Sequence, residues 1–319
     1  MQALLTELNE NVYIPFFDEP RKANEGWYKV YHDGGHHVGT RVLPSKKKGK
    51  KKTRSREDID ELIDTLFSSA MRKGLGTKRK KNELINFMKT GIEKLYSDFN
   101  ATNYYIQGKI DKKFHNLYVR KKRFKRKAYL NRWNYFVTFT YDDKKQTEES
   151  FRKELRKCLS NLHTRRRWRY MGVFENAPET ERLHFHALMY IPDGEMIGSI
   201  YEKKDYNKKS GKITTTRINT FFEYGFGRND FRPVNEKEIT HGNTINYLLK
   251  YISKSGEKIV YSRGIPSEVC VKVKDRDIAG EMFDYVEKVV LFDDVISWER
   301  DILNYKPRQL SMRELFMSA

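Results

Sequence analysis

The chain has 319 residues, 38% of them hydrophobic and 33% charged, with a formal net charge of +20. That length can bury a sizeable core, and that charge calls for a polyanionic partner, nucleic acid ahead of an anionic membrane surface. The two cysteines, Cys158 and Cys270, lie far apart and exclude a disulfide framework or zinc ribbon. No basic, apolar leader opens the chain and no run of 18 apolar residues occurs, so a soluble protein without a membrane role is expected, in the reducing compartment where it is made. The 20 Tyr and 19 Phe favour nucleic acid further, because aromatic faces stack on unpaired bases.

Residues 1–45 mix aromatics with Gly and Pro, and the adjacent His36 and His37 read as a solvated turn rather than a metal pair. In residues 46–56, eight of the eleven are basic, including Lys46, Lys47, Lys48, Lys50, Lys51 and Lys52. No core accepts such a run, so a phosphate-seeking arm is expected, with an inert linker as the alternative. Residues 57–73 carry Ile59, Leu62, Ile63, Leu66, Phe67 and Met71 at helical spacing, with acids in the first turn. GLGTKRKK breaks that helix, and Leu84, Ile85, Phe87, Met88, Ile92 and Leu95 predict a second, ending near Phe99. A helical hairpin packed on the main domain is preferred to a DNA-binding accessory.

A second basic cluster follows: Arg120, Lys121, Lys122, Arg123, Lys125 and Arg126, interleaved with Tyr118, Phe124 and Tyr129. It reads as a DNA-tracking, base-stacking surface or a charged linker. A boundary is placed there, which makes residues 1–130 a basic N-terminal extension with two helices. Beyond it, NYFVTFT (134–140), RYMGVFE (169–175) and LHFHALMYI (183–191) read as strands. A helix over 147–163 buries Phe151, Leu155, Cys158, Leu159 and Leu162. This β-α-β-β order predicts an α+β domain over 131–260, an antiparallel sheet of ferredoxin-like or RRM-like type with flanking helices. Residues 193–225 read as an insertion, 228–234 as a fourth strand and 240–254 as a helix. In the C-terminal segment 261–319, whose role is open, a strand pair is expected in VYSRGIPSEVCVKVKD, then helical patches near 283–290 and 296–305.

Two stretches carry chemistry. In TINYLLKYISK (244–254), Tyr247, Lys250, Tyr251 and Lys254 share one stripe of a helix, nearly opposite Ile245, Leu248, Leu249 and Ile252. Two phenols one turn apart beside ammonium groups suit chemistry on a phosphodiester, since tyrosine is a covalent nucleophile and lysine neutralises phosphate charge. In LHFHALMYI, alternation sends His184 and His186 to one face, where two imidazoles can share a metal ion; a polar, half-buried face is the alternative. Glu175, at the end of the adjacent strand, is the third candidate ligand, ahead of Glu179 and Glu181 in the connecting loop, and a carboxylate suits Mg2+ or Mn2+.

Taken in order, NYFVTFTY, FENAPETERLHFHALMY and YLLKYISK resemble the three motifs of rolling-circle replication initiators of the HUH endonuclease superfamily. The two-tyrosine form, Tyr247-x-x-Lys250-Tyr251-x-x-Lys254, is most similar to the initiators of microviruses, small phages with circular single-stranded DNA. The resemblance covers residues 134–254. It implies an endonuclease and ligase that nicks single-stranded DNA at a replication origin and leaves a 5′-phosphotyrosine on the protein and a 3′-hydroxyl for priming. It implies further that His184, His186 and Glu175 hold the divalent ion, that Lys250 and Lys254 assist the tyrosines, and that Thr138 and Thr140 support the site or touch DNA. Host helicase and polymerase would be partners, in the cytoplasm of a bacterial host; no Walker-type GxxxxGK[ST] sequence encodes a helicase here. Two other readings stay open, a non-catalytic basic protein that binds or packages nucleic acid, and an HUH transposase or relaxase.

Overall fold

The computed structural model describes residues 25–42, 57–76, 78–95, 103–177, 182–207, 211–240, 242–255, 258–282 and 288–309. The elements in chain order are β1 (Gly26–His32), β2 (His37–Arg41), α1 (Glu57–Arg72), α2 (Lys81–Leu95), α3 (Asn103–Leu130), β3 (Tyr135–Thr140), α4 (Glu148–Arg166), β4 (Arg169–Asn176) and β5 (Leu183–Tyr190). There follow β6 (Ile200–Asn207), β7 (Lys212–Asn219), α5 (Thr220–Phe226), β8 (Asn229–Pro233), α6 (Glu236–Thr240) and α7 (Asn243–Ser255). The last are β9 (Val260–Tyr261), β10 (Val269–Val273), β11 (Ile278–Met282), β12 (Lys288–Leu291), β13 (Ile296–Glu299) and β14 (Ile302–Tyr305). The described residues thus form a mixed α+β protein with antiparallel sheets and seven α-helices. No described helix is long and apolar enough to cross a membrane.

The chain divides into two compact units, and one comprises Gly49–Phe124 and Trp133–Ile265. Its sheet has the order β8-β3-β5-β4-β9, with every neighbouring pair antiparallel. Alternation puts Val137, Phe139, Phe174, Phe185, Ala187 and Met189 on one face. There they meet Phe151, Leu155 and Leu159 of α4 and Phe222 of α5, all nearly inaccessible to solvent. A capping box in which Thr147 and Ser150 bond each other's amides starts α4, and Arg167 in left-handed conformation (φ 56°) ends it and returns the chain to β4. The helical hairpin α1–α2 packs with Ile106, Ile110 and Phe114 of α3 in a separate cluster.

Several sequence expectations need correcting. The basic cluster 120–126, expected as a DNA-tracking surface or a charged linker, lies within the 28-residue helix α3, a third helix where two were expected before residue 130. Charges at most positions dilute the 3.6-residue period there, so the sequence concealed the helix. Phe124 is 1% exposed and is unable to stack on a base, whereas Tyr118 is 60% exposed. The strands expected as a pair in 260–275 do not pair with each other: β9 joins β4, and β10 joins β1. Expected helical patches near 283–290 and 296–305 are instead β12 and the hairpin β13–β14, with 283–287 outside the described residues. The hairpin turn places Arg300 (φ 47°) and Asp301 (φ 64°) in left-handed conformations that Asn-Gly or Gly would ordinarily announce.

The second unit comprises Met1–Lys48, Lys125–Arg132 and Pro266–Ala319. Its sheet, β10-β1-β2-β12-β11, takes strands from both ends of the chain, with Gly26 to Val30 pairing Val273 to Val269. Arg126 stacks its guanidinium 3.5 Å from the Tyr31 ring, and Asn131 donates to the carbonyls of Lys127 and Pro266. Asp277 is fully buried and accepts from the amides of Lys274 and Arg308 and from the Tyr305 hydroxyl. Burial, and then that carboxylate, push the Tyr305 phenol up.

Gly172 carries the tightest constraint in the first sheet. A Cβ there would collide with the carbonyl oxygen of His186 and lie 2.7 Å from the Ala187 Cβ and 2.8 Å from the Phe185 ring. Gly172→Ala is therefore expected to destabilise the protein by about 1–3 kcal/mol, as overpacking of a closed interior does. Chemical denaturation measures it, and an unchanged midpoint would show that β5 yields without cost.

Candidate active site

The face of the sheet opposite the α4 core carries the polar side chains. In the antiparallel register Thr140 lies opposite His184, which lies opposite Glu175; one rung along, Thr138 lies opposite His186. Thr140 Oγ1 is 3.1 Å from His184 Nδ1, and Thr138 Oγ1 is 3.1 Å from His186 Nδ1. Each hydroxyl fixes the plane of one imidazole and turns its Nε2 away from the strand. His186 Nε2 is 3.4 Å from Glu175 Oε2, both side chains 8% exposed.

Helix α7 covers part of this face. Ile245, Leu248 and Ile252 are fully buried, and Arg232 of β8 donates to Thr244 Oγ1 (3.3 Å) near the start of the helix. The opposite stripe then looks onto the histidines. Tyr251 lies flat on His186 (ring centroids 4.8 Å, 11°), and Tyr247 stands edge-on to Tyr251 at 4.7 Å and 89°. Phe136 meets the Tyr247 ring at 5.7 Å from the other side. The two phenols are not equivalent: Tyr247 is 42% exposed and Tyr251 8%. Burial first, then a hydrogen bond with the Tyr247 hydroxyl and the charge of Glu175, push the Tyr251 phenol well up from its ordinary value. Burial first, and then neighbouring His186, hold the His184 imidazole below its ordinary value.

These groups line one cleft of about 450 Å3, together with Lys250. The structure therefore brings together Glu175, His184, His186, Tyr247, Lys250 and Tyr251 from strands β4 and β5 and helix α7. The Lys254 side chain, Glu179, Glu181 and the basic residues 46–52 lie outside what is described. Lys122 and Arg123 are exposed on α3, Arg120, Lys121, Lys125 and Arg126 half-buried, and none of them lines the cleft.

Five lining residues were not anticipated: Ala177 just after β4, Thr216 of β7, Arg228 just before β8, and Asn229 and Asp230 at its start. Arg228 donates to Thr216 (3.3 Å), pairs with Asp205 (3.4 Å) and depresses the His184 pKa further. The alternation of NDFRP, with Phe231 in the core, was the available signal that Asp230 faces the other way.

As a donor set for a divalent cation, the residues fit in chemistry: two imidazoles with Nδ1 already engaged and a buried carboxylate beside one of them. Among the described residues, however, no three His, Cys, Asp or Glu side chains are drawn into a ready metal cage. A threonine hydroxyl both donates and accepts. Thr138 therefore serves His186 whether Nε2 carries a proton toward Glu175 or a bare lone pair. Thr138→Val removes this partner from a buried ring and is expected to lower stability by about 1–3 kcal/mol. Thermal or urea denaturation with Thr138→Ser as the rescuing control tests it; equal losses in both variants would rule out the hydroxyl.

Against known proteins, the model of a replication-associated protein family, described as being of the ORF2 and gene-2-protein kind, matches residues 134–256. That segment is less than half of the chain, but it runs from β3 to α7 and contains every described residue of the cleft. No curated protein and no solved structure matches the chain. The family match supports a role in the initiation of DNA replication.

Proposed function

We propose that residues 131–260 are an HUH-type endonuclease domain that nicks and rejoins single-stranded DNA at a replication origin, as in rolling-circle initiators of the two-tyrosine, microvirus-like kind. The observation that carries the reading is the face-to-face placement of Tyr251 on His186, with Tyr247 beside it in the same cleft. The split arrangement of β3 and β4, with β5 between them and α4 as the crossover, supports the ferredoxin-like reading. A family whose description names replication supports the biological step.

In this mechanism the Tyr247 phenol loses its proton and its oxygen attacks the scissile phosphorus. The bond from phosphorus to the 3′-oxygen breaks, that oxygen takes a proton, and the DNA stays attached through a 5′-phosphotyrosine. His184, His186 and Glu175 would hold Mg2+ or Mn2+, which when bound polarises a phosphate oxygen and neutralises its charge. Lys250, exposed on the same helix face, offers positive charge to the phosphate. Tyr247 acts first because it is accessible, whereas Tyr251 is covered. Once Tyr247 carries the DNA, Tyr251 makes the second cut one turn along the helix, and the released 3′-hydroxyl displaces Tyr247 to close the circle. Host helicase and polymerase would supply strand opening and synthesis.

The direct test is incubation with single-stranded origin oligonucleotides and Mn2+, which is expected to give a protein-DNA adduct that survives denaturation. No adduct across a complete tiling of the cognate DNA would favour a non-catalytic binding protein. Tyr247→Phe is expected to slow the first cleavage about 100-fold or more, since the remaining phenol is poorly placed. Tyr251→Phe should keep the first cleavage and lose the second transfer, and the double variant should form no adduct. A double variant that still forms one would place the nucleophile elsewhere. Because outer partners orient metal ligands, Thr138→Val should weaken Mn2+ binding by about 10- to 100-fold, read by water proton relaxation; unaltered binding would remove these histidines from the ligand set.

A further inference from the structure

The segment around residues 200–219 folds into a two-stranded ribbon rooted in the wall of the cleft. β6 and β7 pair along their whole length, from Ile200 opposite Asn219 to Asn207 opposite Lys212. At the root, Thr216, Ile218 and Asn219 are buried, the Arg217 amide donates to Asp230 (2.9 Å), and Asp205 meets Arg228. Thr216, Asp230 and Arg228 all line the cleft, so the ribbon continues the catalytic surface.

Beyond the root the ribbon buries little. Residues 200–204, Tyr206 and residues 212–215 are exposed on both of its faces. A two-stranded hairpin with no covered face is marginally stable in water, and this one displays apolar groups. Six of the fourteen exposed large hydrophobic side chains among the described residues lie within 200–224, namely Ile200, Tyr201, Tyr206, Ile213, Phe221 and Tyr224. Such concentration in so short a stretch marks an interaction surface rather than ordinary scatter. Tyr206 and Ile213 are cross-strand partners, 66% and 68% exposed. Around them stand Lys203, Lys204 and Lys212, while Glu202 and Asp205 are paired with Arg217 and Arg228, and the sequence between the two strands adds Lys208 and Lys209.

Apolar tips among cations select a polyanion that also offers apolar edges, which describes DNA. Shape decides which form of DNA. A single strand is held in a basic groove, whereas this element is a two-stranded ribbon exposed on both faces and roughly 27 Å long at about 3.4 Å per residue. A major groove admits a two-stranded ribbon and exposes thymine methyl groups to apolar side chains. We propose that the β6–β7 ribbon recognises double-stranded DNA, entering the major groove of a duplex that flanks the strand held in the cleft, with Tyr206 and Ile213 against base edges and Lys203 and Lys204 on phosphates. The flanking position rests on the nicking function proposed above; the duplex binding itself does not.

The test measures binding of the full chain, without metal, to a fluorescent duplex of about 30 base pairs and to an oligothymidine of equal length. Two variants are compared with the unaltered chain: Tyr206→Ala with Ile213→Ala, and Lys203→Glu with Lys204→Glu. Each is expected to weaken duplex binding about tenfold or more and single-strand binding less than about twofold; the lysine variant should also flatten the salt dependence by about two phosphate contacts. Both replace exposed side chains, and the lysine variant keeps the surface testable if the alanine variant loses its fold. Duplex binding equal to the unaltered chain, or equal losses on both DNAs, overturns the proposal. Selective duplex loss in a protein that forms no tyrosine adduct would sustain the ribbon and sink the nicking function; adduct formation with unaltered duplex binding would do the reverse.

Discussion

The pairing of β5 between β3 and β4 is the constraint from which the rest of the cleft follows. Side chains alternate along a strand, so a slip of one residue would turn His184 and His186 into the aromatic core and bring Phe185 to the surface. Phe139, Phe174 and Phe185 prevent that slip, because each is fully buried in the aromatic core shared with α4 and α5. Gly172 locks the same register from β4 by admitting the His186 carbonyl where any side chain would strike it. The polar rungs on the reverse face are thus held by packing on the face they do not share. Their hydrogen bonds orient the rings without having to set the strand positions.

Helix α7 is subject to a comparable division. Its buried Ile245, Leu248 and Ile252 determine its rotation, and the anchor from Arg232 to Thr244 fixes its beginning. The tyrosine stripe is carried to the histidines as a consequence. Within that stripe the one-turn spacing separates two chemically identical groups by environment. Tyr251 is pressed on an imidazole and shielded by Tyr247, while Tyr247 keeps access to solvent. For the two successive transfers proposed above, such inequality offers an order of use, since burial disfavours the phenolate.

The remaining parts of the chain show how composition misleads when a segment has both a structural and an electrostatic role. The lysines and arginines of α3 dominated its sequence, yet Ile106, Ile110, Phe124 and Ala128 are buried, and they explain why the segment is helical. Strands from the two chain ends share one sheet, although nothing in their local sequence names the partner. The β6–β7 ribbon read as a polar insertion because its alternation has no apolar face, which is the property that makes it a surface for another molecule.

The sequence by itself determined the elements with strong periodicity and the identity of the chemical groups: α1, α4 and α7, the strands β3, β4 and β5, the histidine pair and the tyrosine pair. Those signals are local, carried by apolar spacing within ten to twenty residues. The match to residues 134–256 covers all of these except α1. Tertiary structure alone decided which strand faces which, that Thr138 and Thr140 bind the imidazoles, that Arg228 and Asp230 join the cleft, and that one phenol is open while the other is covered. These facts depend on register and on burial by residues distant in the chain, and single-sequence periodicity carries no record of either. The hairpin at Arg300 and Asp301 stayed hidden for a related reason, because its left-handed turn is imposed by the strands it joins rather than by glycine.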